Sequence, residues 1–184
     1  HSPMKFLLDL GGTLTDSRPG IIKCIQHALT ALDVPTPSDA ELTMLIGPPL
    51  QDTFSKLLPA PTAANVDRAV ALYRQRFETD GMFENSVYPG IQKSLAGFHK
   101  SGVGLYLATS KPQVFAEKIL EHFDLAQYFR GIYGSELDGS RGDKAELIRY
   151  ILAREQINPK HATMIGDRAH DIAGGKANQL QTVG

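Results

Sequence analysis

The stretch Leu8–Asp16, with the sequence LDLGGTLTD, decides the interpretation of this chain. The residues from Met4 to Leu10 form an almost unbroken apolar run, which is typical of a short strand buried on both faces of a parallel sheet. Asp9 lies at the end of this run, and two glycines follow shortly after it. Because an unpaired carboxylate at the end of a buried strand is costly, we expect a cation or contacts with a phosphate to offset that cost.

The composition limits the classes of protein to consider. With 184 residues, of which 42% are hydrophobic, the chain can form one domain, or one domain with a modest insertion. Lys and Arg total 19 against 20 for Asp and Glu, which argues against nucleic acid or an anionic membrane as the main partner. The single cysteine, Cys24, excludes an internal disulfide and fits a reducing compartment. No apolar run approaches the roughly 20 residues of a spanning helix, so we expect a soluble, cytoplasmic protein.

Two kinds of pattern divide the chain. Between Ser17 and about Glu84 every segment has helical periodicity, and Ser38 with Glu41 forms a plausible capping box. From Tyr88 onward strands alternate with helices, which predicts right-handed crossovers and an open parallel sheet. The predicted strands of this part are Val103–Ala108, Gly131–Gly134, Ala162–Ile165 and one near Thr182. The predicted helices are Gly90–Lys100, Pro112–Phe123, Lys144–Gln156 and one from about Ala169.

The fold class that these patterns predict is α/β, a Rossmann-like open parallel sheet with an all-helical cap inserted after the first strand. Residues 4–16 and 86–184 would form the core domain, and residues 17–85 the cap. We expect the cap to project over the carboxyl edge of the sheet, where such sheets bind ligands.

Four groups of polar residues follow predicted strands and should therefore converge on that edge. They are Asp9 with its glycine-rich turn, Thr109-Ser110-Lys111, Lys144, and the segment GDRAHD from Gly166 to Asp171. Each group alone has a structural explanation, such as helix capping or a surface charge. Carboxylates, a hydroxyl and a lysine together at strand ends are harder to assign to capping alone.

Phosphoryl transfer is the chemistry that fits this combination. An aspartate carboxylate can attack phosphorus and form an aspartyl-phosphate. The charge on the phosphoryl oxygens must then be held by a lysine, backbone N–H groups, hydroxyls and a divalent cation. Asp9 and Asp167 offer the oxygen ligands that Mg²⁺ prefers, and Gly11-Gly12 allows the backbone to approach a phosphate closely.

The same residues resemble the four motifs of the haloacid dehalogenase superfamily of phosphatases, in the right order and over nearly the whole chain. LDLGGTLTDS is similar to the first motif, usually DxDGT, LATSK to the second, Lys144 to the third and IGDRAHD to the fourth. The segments IGPPL, VYPGI and GSELDGSRGDKAELI resemble the helical-capped subgroup that contains phosphoglycolate phosphatases and some bacterial nucleotidases. The resemblance implies a Mg²⁺-dependent hydrolase of a small phosphorylated metabolite, present as a monomer or homodimer.

The resemblance also implies roles for individual residues. Asp9 would be the nucleophile, Thr109 would hydrogen-bond the phosphoryl group, and Lys144 would neutralise that group and hold Asp9. The implied catalytic residues are Asp9, Gly11, Thr109 and Lys144. The implied substrate contacts are Gly12, Thr109, Ser110 and Lys144. The implied Mg²⁺ ligands are Asp9, the backbone carbonyl of Gly11, Asp167 and Asp171.

Gly11 is the main departure from the family pattern. Phosphatases of this family normally have a second aspartate there, which protonates the leaving oxygen and later activates water. General acid–base assistance of this kind is worth roughly 10²–10⁴-fold in rate. Thr13 and Thr15 are too weakly acidic to replace it, and Asp16 lies beyond the turn. We therefore predict a metal site with impaired turnover, most of all for alkyl phosphates.

Three alternatives remain open from the sequence. Dehalogenases of the superfamily also lack the second aspartate, since halide leaves without a proton, but they need no Mg²⁺ and the acidic GDRAHD segment argues against them. A receiver-like signalling module would share the aspartate, hydroxyl and lysine, but it would lack the helical insertion. A member of the fold that binds a phosphorylated ligand without turning it over is the third alternative, and Gly11 favours it.

Overall fold

The computed structural model describes residues 3–184, which divide into two units. One unit comprises the described residues up to Asp16 together with Ser86–Gly184. The other unit is Ser17–Asn85. None of the helices in the described part of the chain has the length and apolar character needed to cross a bilayer.

All strands of the described residues belong to the first unit. They are β1 (Lys5–Leu8), β2 (Thr15–Asp16), β3 (Ser86–Val87), β4 (Gly104–Pro112), β5 (Gly131–Ser135), β6 (Ala162–Ile165) and β7 (Gln181–Val183). Five of them form a parallel sheet in the order β5-β4-β1-β6-β7, which confirms the predicted fold class. The short strands β2 and β3 pair antiparallel on either side of the inserted segment, and the sequence patterns did not predict this ribbon.

The second unit is helical throughout, as the periodicity predicts. Its helices are α1 (Arg18–Ala31), α2 (Asp39–Thr43), α3 (Leu50–Leu57) and α4 (Ala63–Thr79), followed by a 3₁₀ turn at Gly81–Phe83. The capping box is present, because the Ser38 hydroxyl accepts from the amide of Glu41 and the Glu41 carboxylate accepts from the amide of Ser38. These two contacts satisfy amide groups that the short helix α2 leaves without intrahelical partners.

The helices of the first unit flank the sheet. They are α5 (Ile91–Lys100), α6 (Gln113–His122), α7 (Lys144–Arg154) and α8 (Ala169–Ala177). The core between α7 and the sheet is apolar, with Leu7 of β1, Met164 of β6 and Ile148 of α7 all fully buried. Burying one such side chain stabilises a fold by about 1.5–3 kcal/mol, so this packing fixes where α7 begins relative to the strand ends.

Strand β4 runs four residues further than predicted. The sequence patterns end the strand at Ala108 and place Pro112 in the following helix, but the extended backbone continues to Pro112 and α6 begins at Gln113. The pairing register with β5 shifts between Ala108 and Pro112, where Pro112 aligns with Ser135. Such irregularities re-aim side chains at strand ends. Thr109 therefore lies in an extended segment and is not the cap of α6.

Candidate active site

The turn that follows β1 places Asp9 at the carboxyl edge of the sheet. The amide of Asp9 donates to the carbonyl of Ile165 at 3.0 Å, so Asp9 continues the β1–β6 pairing and is only 5% exposed. The carbonyl of Leu10 then accepts from the amides of Thr13 and Leu14 at 3.2 and 2.9 Å. Gly12 has a φ of +83°, a left-handed conformation that glycine adopts without steric cost. The two-glycine sequence thus produces the tight turn directly after the carboxylate.

Lys144 is the centre of the site. It is the first residue of α7, whose N-terminus is capped by the Asp143 carboxylate accepting from the amide of Glu146 at 3.0 Å. The buried ammonium donates to the carbonyl of Ala108 at 2.7 Å and to Oδ1 of Asp9 at 3.2 Å. It also lies 2.9 Å from Oδ1 of Asp171. One cation therefore links the turn after β1 and the middle of β4 with the first turn of α8.

The contact between Lys144 and Asp171 is electrostatic rather than a hydrogen bond. Oδ1 of Asp171 is buried and has no hydrogen-bond partner of acceptable geometry, although the ammonium is close. The other carboxylate oxygen, Oδ2, accepts from the amide of Arg168 at 3.2 Å and so caps α8. Asp171 is completely buried, and its Oδ1, which also lies 3.5 Å from Nε2 of His170, has lone pairs free for a further ligand.

The environment of Asp9 disfavours its charged form. Burial raises the pKa of the Asp9 carboxyl above its ordinary value, and the neighbouring Asp171 raises it further. The Lys144 ammonium and the amide of Leu10 act in the opposite direction without cancelling the effect of burial on this pKa. An additional positive charge would therefore favour the ionised, nucleophilic state of Asp9.

Three carboxylates form a cluster suited to a divalent cation. Asp9, Asp167 and Asp171 each offer an oxygen, and these oxygens lie within 4.8 Å of one another. Together with Lys144 they leave two formal negative charges, and hard carboxylate oxygens are the ligands that Mg²⁺ prefers. Oδ1 of Asp171, which is buried and accepts no hydrogen bond of acceptable geometry, supports the same conclusion. The residues present therefore fit Mg²⁺.

Two glycines make room for these carboxylates. A Cβ on Gly12 would lie 2.4 Å from Oδ2 of Asp167, and a Cβ on Gly166 would lie 2.3 Å from Oδ2 of Asp171. Any side chain at either position would displace a carboxylate of the cluster. Gly166 was not singled out from the sequence, although its place in the GDRAHD segment was a signal that could have found it.

The remaining predicted residues lie near this centre with differing contacts. Thr109 follows Ala108 in β4, is 3% exposed, and its Oγ1 accepts from the amide of Lys111 at 3.1 Å, which leaves the hydroxyl proton available to donate. Ser110 is exposed. Gly11 is partly exposed, and its backbone pairs with that of Thr15 in an isolated β-bridge. The amide of Gly12 donates to the carbonyl of Thr15 at 2.8 Å, so its predicted contact with substrate stays a prediction.

The carbonyl of Ala108 is a functional group that the sequence patterns did not reveal. It accepts the shortest of the three contacts of Lys144, and a backbone oxygen leaves no signal in the residue type. Only the position of Ala108 at the end of the apolar run of a central strand could have indicated it.

Comparisons with known proteins agree with this geometry. The family model described as haloacid dehalogenase-like hydrolase matches residues 6–184. A 5'-nucleotidase of Pseudomonas aeruginosa is 45% identical over 178 residues, which cover 97% of this chain and 80% of that protein. A haloacid dehalogenase-like hydrolase from Streptococcus pneumoniae has a solved structure with a TM-score of 0.89 and 30% identity, covering 98% of this chain and 83% of that one.

A relative that is named as a kinase also matches. The tyrosine-protein kinase PtkA of Mycobacterium tuberculosis is 37% identical over 183 residues, covering all of this chain but only 62% of that protein. Its solved structure has a TM-score of 0.86 with this chain. The matched family and the shared fold confirm the resemblance drawn from the four motifs, and this chain belongs to the haloacid dehalogenase-like hydrolase family.

Proposed function

We propose that this chain is a Mg²⁺-dependent phosphomonoester hydrolase that acts through an aspartyl-phosphate on Asp9. The observation that carries the proposal is the contact of one buried ammonium, Lys144, with both Asp9 and Asp171 beside the exposed carboxylate of Asp167. The proposed substrate is a small phosphorylated metabolite of the nucleotide or phosphoglycolate type. We further propose a cytoplasmic protein, monomeric or homodimeric, with no nucleic-acid partner.

The first step transfers the phosphoryl group to the protein. A carboxylate oxygen of Asp9 attacks phosphorus, the bond from phosphorus to the ester oxygen breaks, and that oxygen leaves with the electron pair. Lys144 neutralises charge on the transferring phosphoryl group, and the Thr109 hydroxyl donates a hydrogen bond to one of the phosphoryl oxygens. When bound by Asp9, Asp167, Asp171 and the carbonyl of Gly11, Mg²⁺ would supply the positive charge that opposes repulsion between the carboxylate and the phosphate.

The second step returns Asp9 to its starting state. A water molecule attacks phosphorus, the bond between phosphorus and the Asp9 oxygen breaks, and inorganic phosphate is released while the water proton passes to solvent. In phosphatases of this family, an aspartate at the position of Gly11 would protonate the leaving oxygen in the first step and remove a proton from the attacking water in the second. Gly11 has no side chain, so the leaving oxygen must take its proton from water.

The cost of that absence depends on the leaving group. An aryl oxide is stable enough to leave without a proton, whereas an alkoxide is not. Loss of general acid–base assistance costs roughly 10²–10⁴-fold in rate, which corresponds to about 3–5 kcal/mol of barrier. We therefore propose low turnover overall, with aryl phosphates hydrolysed faster than alkyl phosphates.

A second candidate function is binding of a phosphorylated ligand without turnover. Gly11 is the observation that favours it, because a site with Asp9, Lys144 and a cation can hold a phosphate without a group that manages protons. A dehalogenase is a weaker candidate, since its reaction has no use for the three-carboxylate cluster.

Phosphate release from p-nitrophenyl phosphate tests the proposed function. The parent protein is assayed with Mg²⁺ and with a chelator, beside Asp9→Asn and the control Asp67→Asn, which changes an exposed carboxylate of α4. We expect release that requires Mg²⁺, is abolished in Asp9→Asn and is unchanged in Asp67→Asn. Release without a divalent cation, or release that survives Asp9→Asn, would contradict the mechanism.

A further inference from the structure

The junction between α7 and α8 contains polar contacts that the phosphoryl-transfer mechanism does not use. The side-chain amide of Asn178, the C-cap residue directly after α8, donates to the carbonyl of Ala145 at 2.9 Å and to the carbonyl of Gly174 at 2.9 Å. An amide group has two hydrogens, and the two contacts account for both of them. Ala145 is the residue after Lys144, so one of these hydrogen bonds ties the first turn of α7 to the end of α8.

The same junction is tightly packed at Gly174. A Cβ there would lie 3.0 Å from Cγ of Lys144 and 3.1 Å from the amide nitrogen of Ala145. Helix α8 therefore packs directly against the backbone and the side-chain stem of Lys144. Contacts this short mean that even one methyl group would push the start of α7 away by a few tenths of an ångström.

We propose that Gly174 and Asn178 are positioning residues that hold the ammonium of Lys144 between Asp9 and Asp171. Gly174 sets the distance between the two helices, and Asn178 closes the junction with its pair of hydrogen bonds. The consequence for catalysis rests on the function proposed above, but the consequence for the position of Lys144 does not. Group transfer is sensitive to this position, because a misplacement of about 1 Å can cost about 10²-fold in rate.

Asn178→Leu is the variant that tests the proposal most directly, because leucine has a similar shape and no donors. Its control is Asn65→Ala, which removes one exposed hydrogen bond of the same chemical type in the helical unit, where the Asn65 side-chain amide donates to the carbonyl of Ala60 at 2.9 Å. Circular dichroism establishes that each variant is folded. Should Asn178→Leu fail to fold, Gly174→Ala takes its place with the same expectations, since it keeps both hydrogen bonds and adds one methyl.

The first readout is chemical modification of lysines, which is independent of any activity. The folded proteins react briefly with acetic anhydride, and peptide mass spectrometry compares modification of the buried Lys144 with that of the exposed Lys176. We expect Lys144 in the parent and in Asn65→Ala to be protected, and its relative rate in Asn178→Leu to rise at least about tenfold through local opening. Unchanged protection of Lys144 in the folded variant would overturn the proposal.

The second readout is the division of the effect between kcat and KM. We expect Asn178→Leu to lower kcat with p-nitrophenyl phosphate by about 10–100-fold, because Asn178 acts only through the position of Lys144, while KM changes by less than about threefold. An equal loss of kcat in Asn65→Ala would show a general structural effect and would also overturn the proposal. Should the parent release no phosphate, the proposed function fails while the modification experiment still decides the positioning role.

Discussion

Replacing Lys144 by methionine should destabilise the folded protein, because it removes the one buried cation of the site from between two carboxylates. Methionine keeps much of the apolar stem and removes the ammonium from its contacts with Asp9, Asp171 and the carbonyl of Ala108. Removing one partner of a buried ion pair lowers the free energy of unfolding by about 3–5 kcal/mol, because the other charge is left uncompensated. Since Asp9 borders solvent at 5% exposure, we expect a loss of about 3 kcal/mol in the free energy of unfolding at pH 7 without divalent cations.

The pH dependence of that loss distinguishes an electrostatic cause from a packing defect. Without Lys144 the pKa of Asp9, already raised by burial, rises further, so the folded variant binds more protons than the unfolded chain. Its stability therefore falls as the pH increases, and the deficit relative to the parent should shrink to about 1 kcal/mol near pH 4.

Urea denaturation of the parent, Lys144→Met and Lys176→Met at several pH values measures this difference. Lys176 is an exposed lysine of α8, so its replacement should change stability by less than about 0.5 kcal/mol. A deficit for Lys144→Met that is the same at pH 7 and pH 4, or that is below about 1 kcal/mol at pH 7, would refute the reasoning.

Three further predictions concern the carboxylates. Burial raises the pKa of Asp9, so its ionisation lowers the stability of the folded protein as the pH rises through that raised pKa. Asp9→Asn should therefore raise the melting temperature of the metal-free protein at pH 7 but not below about pH 4. A lower melting temperature of the variant at pH 7 would contradict this. Gly12→Ala should lower the free energy of unfolding by at least about 1 kcal/mol, because alanine is strained at the positive φ of this position. By displacing Asp167 it should also abolish most of the rise in melting temperature that Mg²⁺ causes. An undiminished rise would contradict the assignment of Asp167 to the metal site. The hydrogen bonds from Arg76 lower the pKa of Glu84. Glu84→Gln should therefore reduce the free energy of unfolding by less than about 1 kcal/mol at pH 7, and by nothing at a pH below that lowered pKa. A loss of stability that persists in acid would contradict the stabilising role of this ion pair.

The sequence was sufficient for the parts of the site that depend on local pattern. The sequence predicts that Asp9, Lys144 and Asp167 lie at one edge of the sheet, because each follows an apolar run or opens a helix, and the structure brings them together there. The capping box at Ser38 was likewise visible, because its two residues are three apart.

The parts that depend on long-range packing were not visible. The hydrogen bonds of Asn178 join residues 33 apart, and the close approach of Gly174 to Lys144 involves a different helix, so neither has a local signature. The extension of β4 to Pro112 also escaped prediction, because the pairing of Pro112 with Ser135 follows a register shift that has no local signature in the sequence.

The central claim is that an otherwise assembled phosphatase site lacks its proton donor at Gly11. The direct measurement compares the parent with Gly11→Asp for Mg²⁺-dependent phosphate release from p-nitrophenyl phosphate and phosphoglycolate. We predict that Gly11→Asp increases release from both, with the larger gain, up to about 10²–10⁴-fold, on the alkyl ester phosphoglycolate. Equal rates for parent and Gly11→Asp on the alkyl ester would show that another group supplies the proton, and would contradict the account.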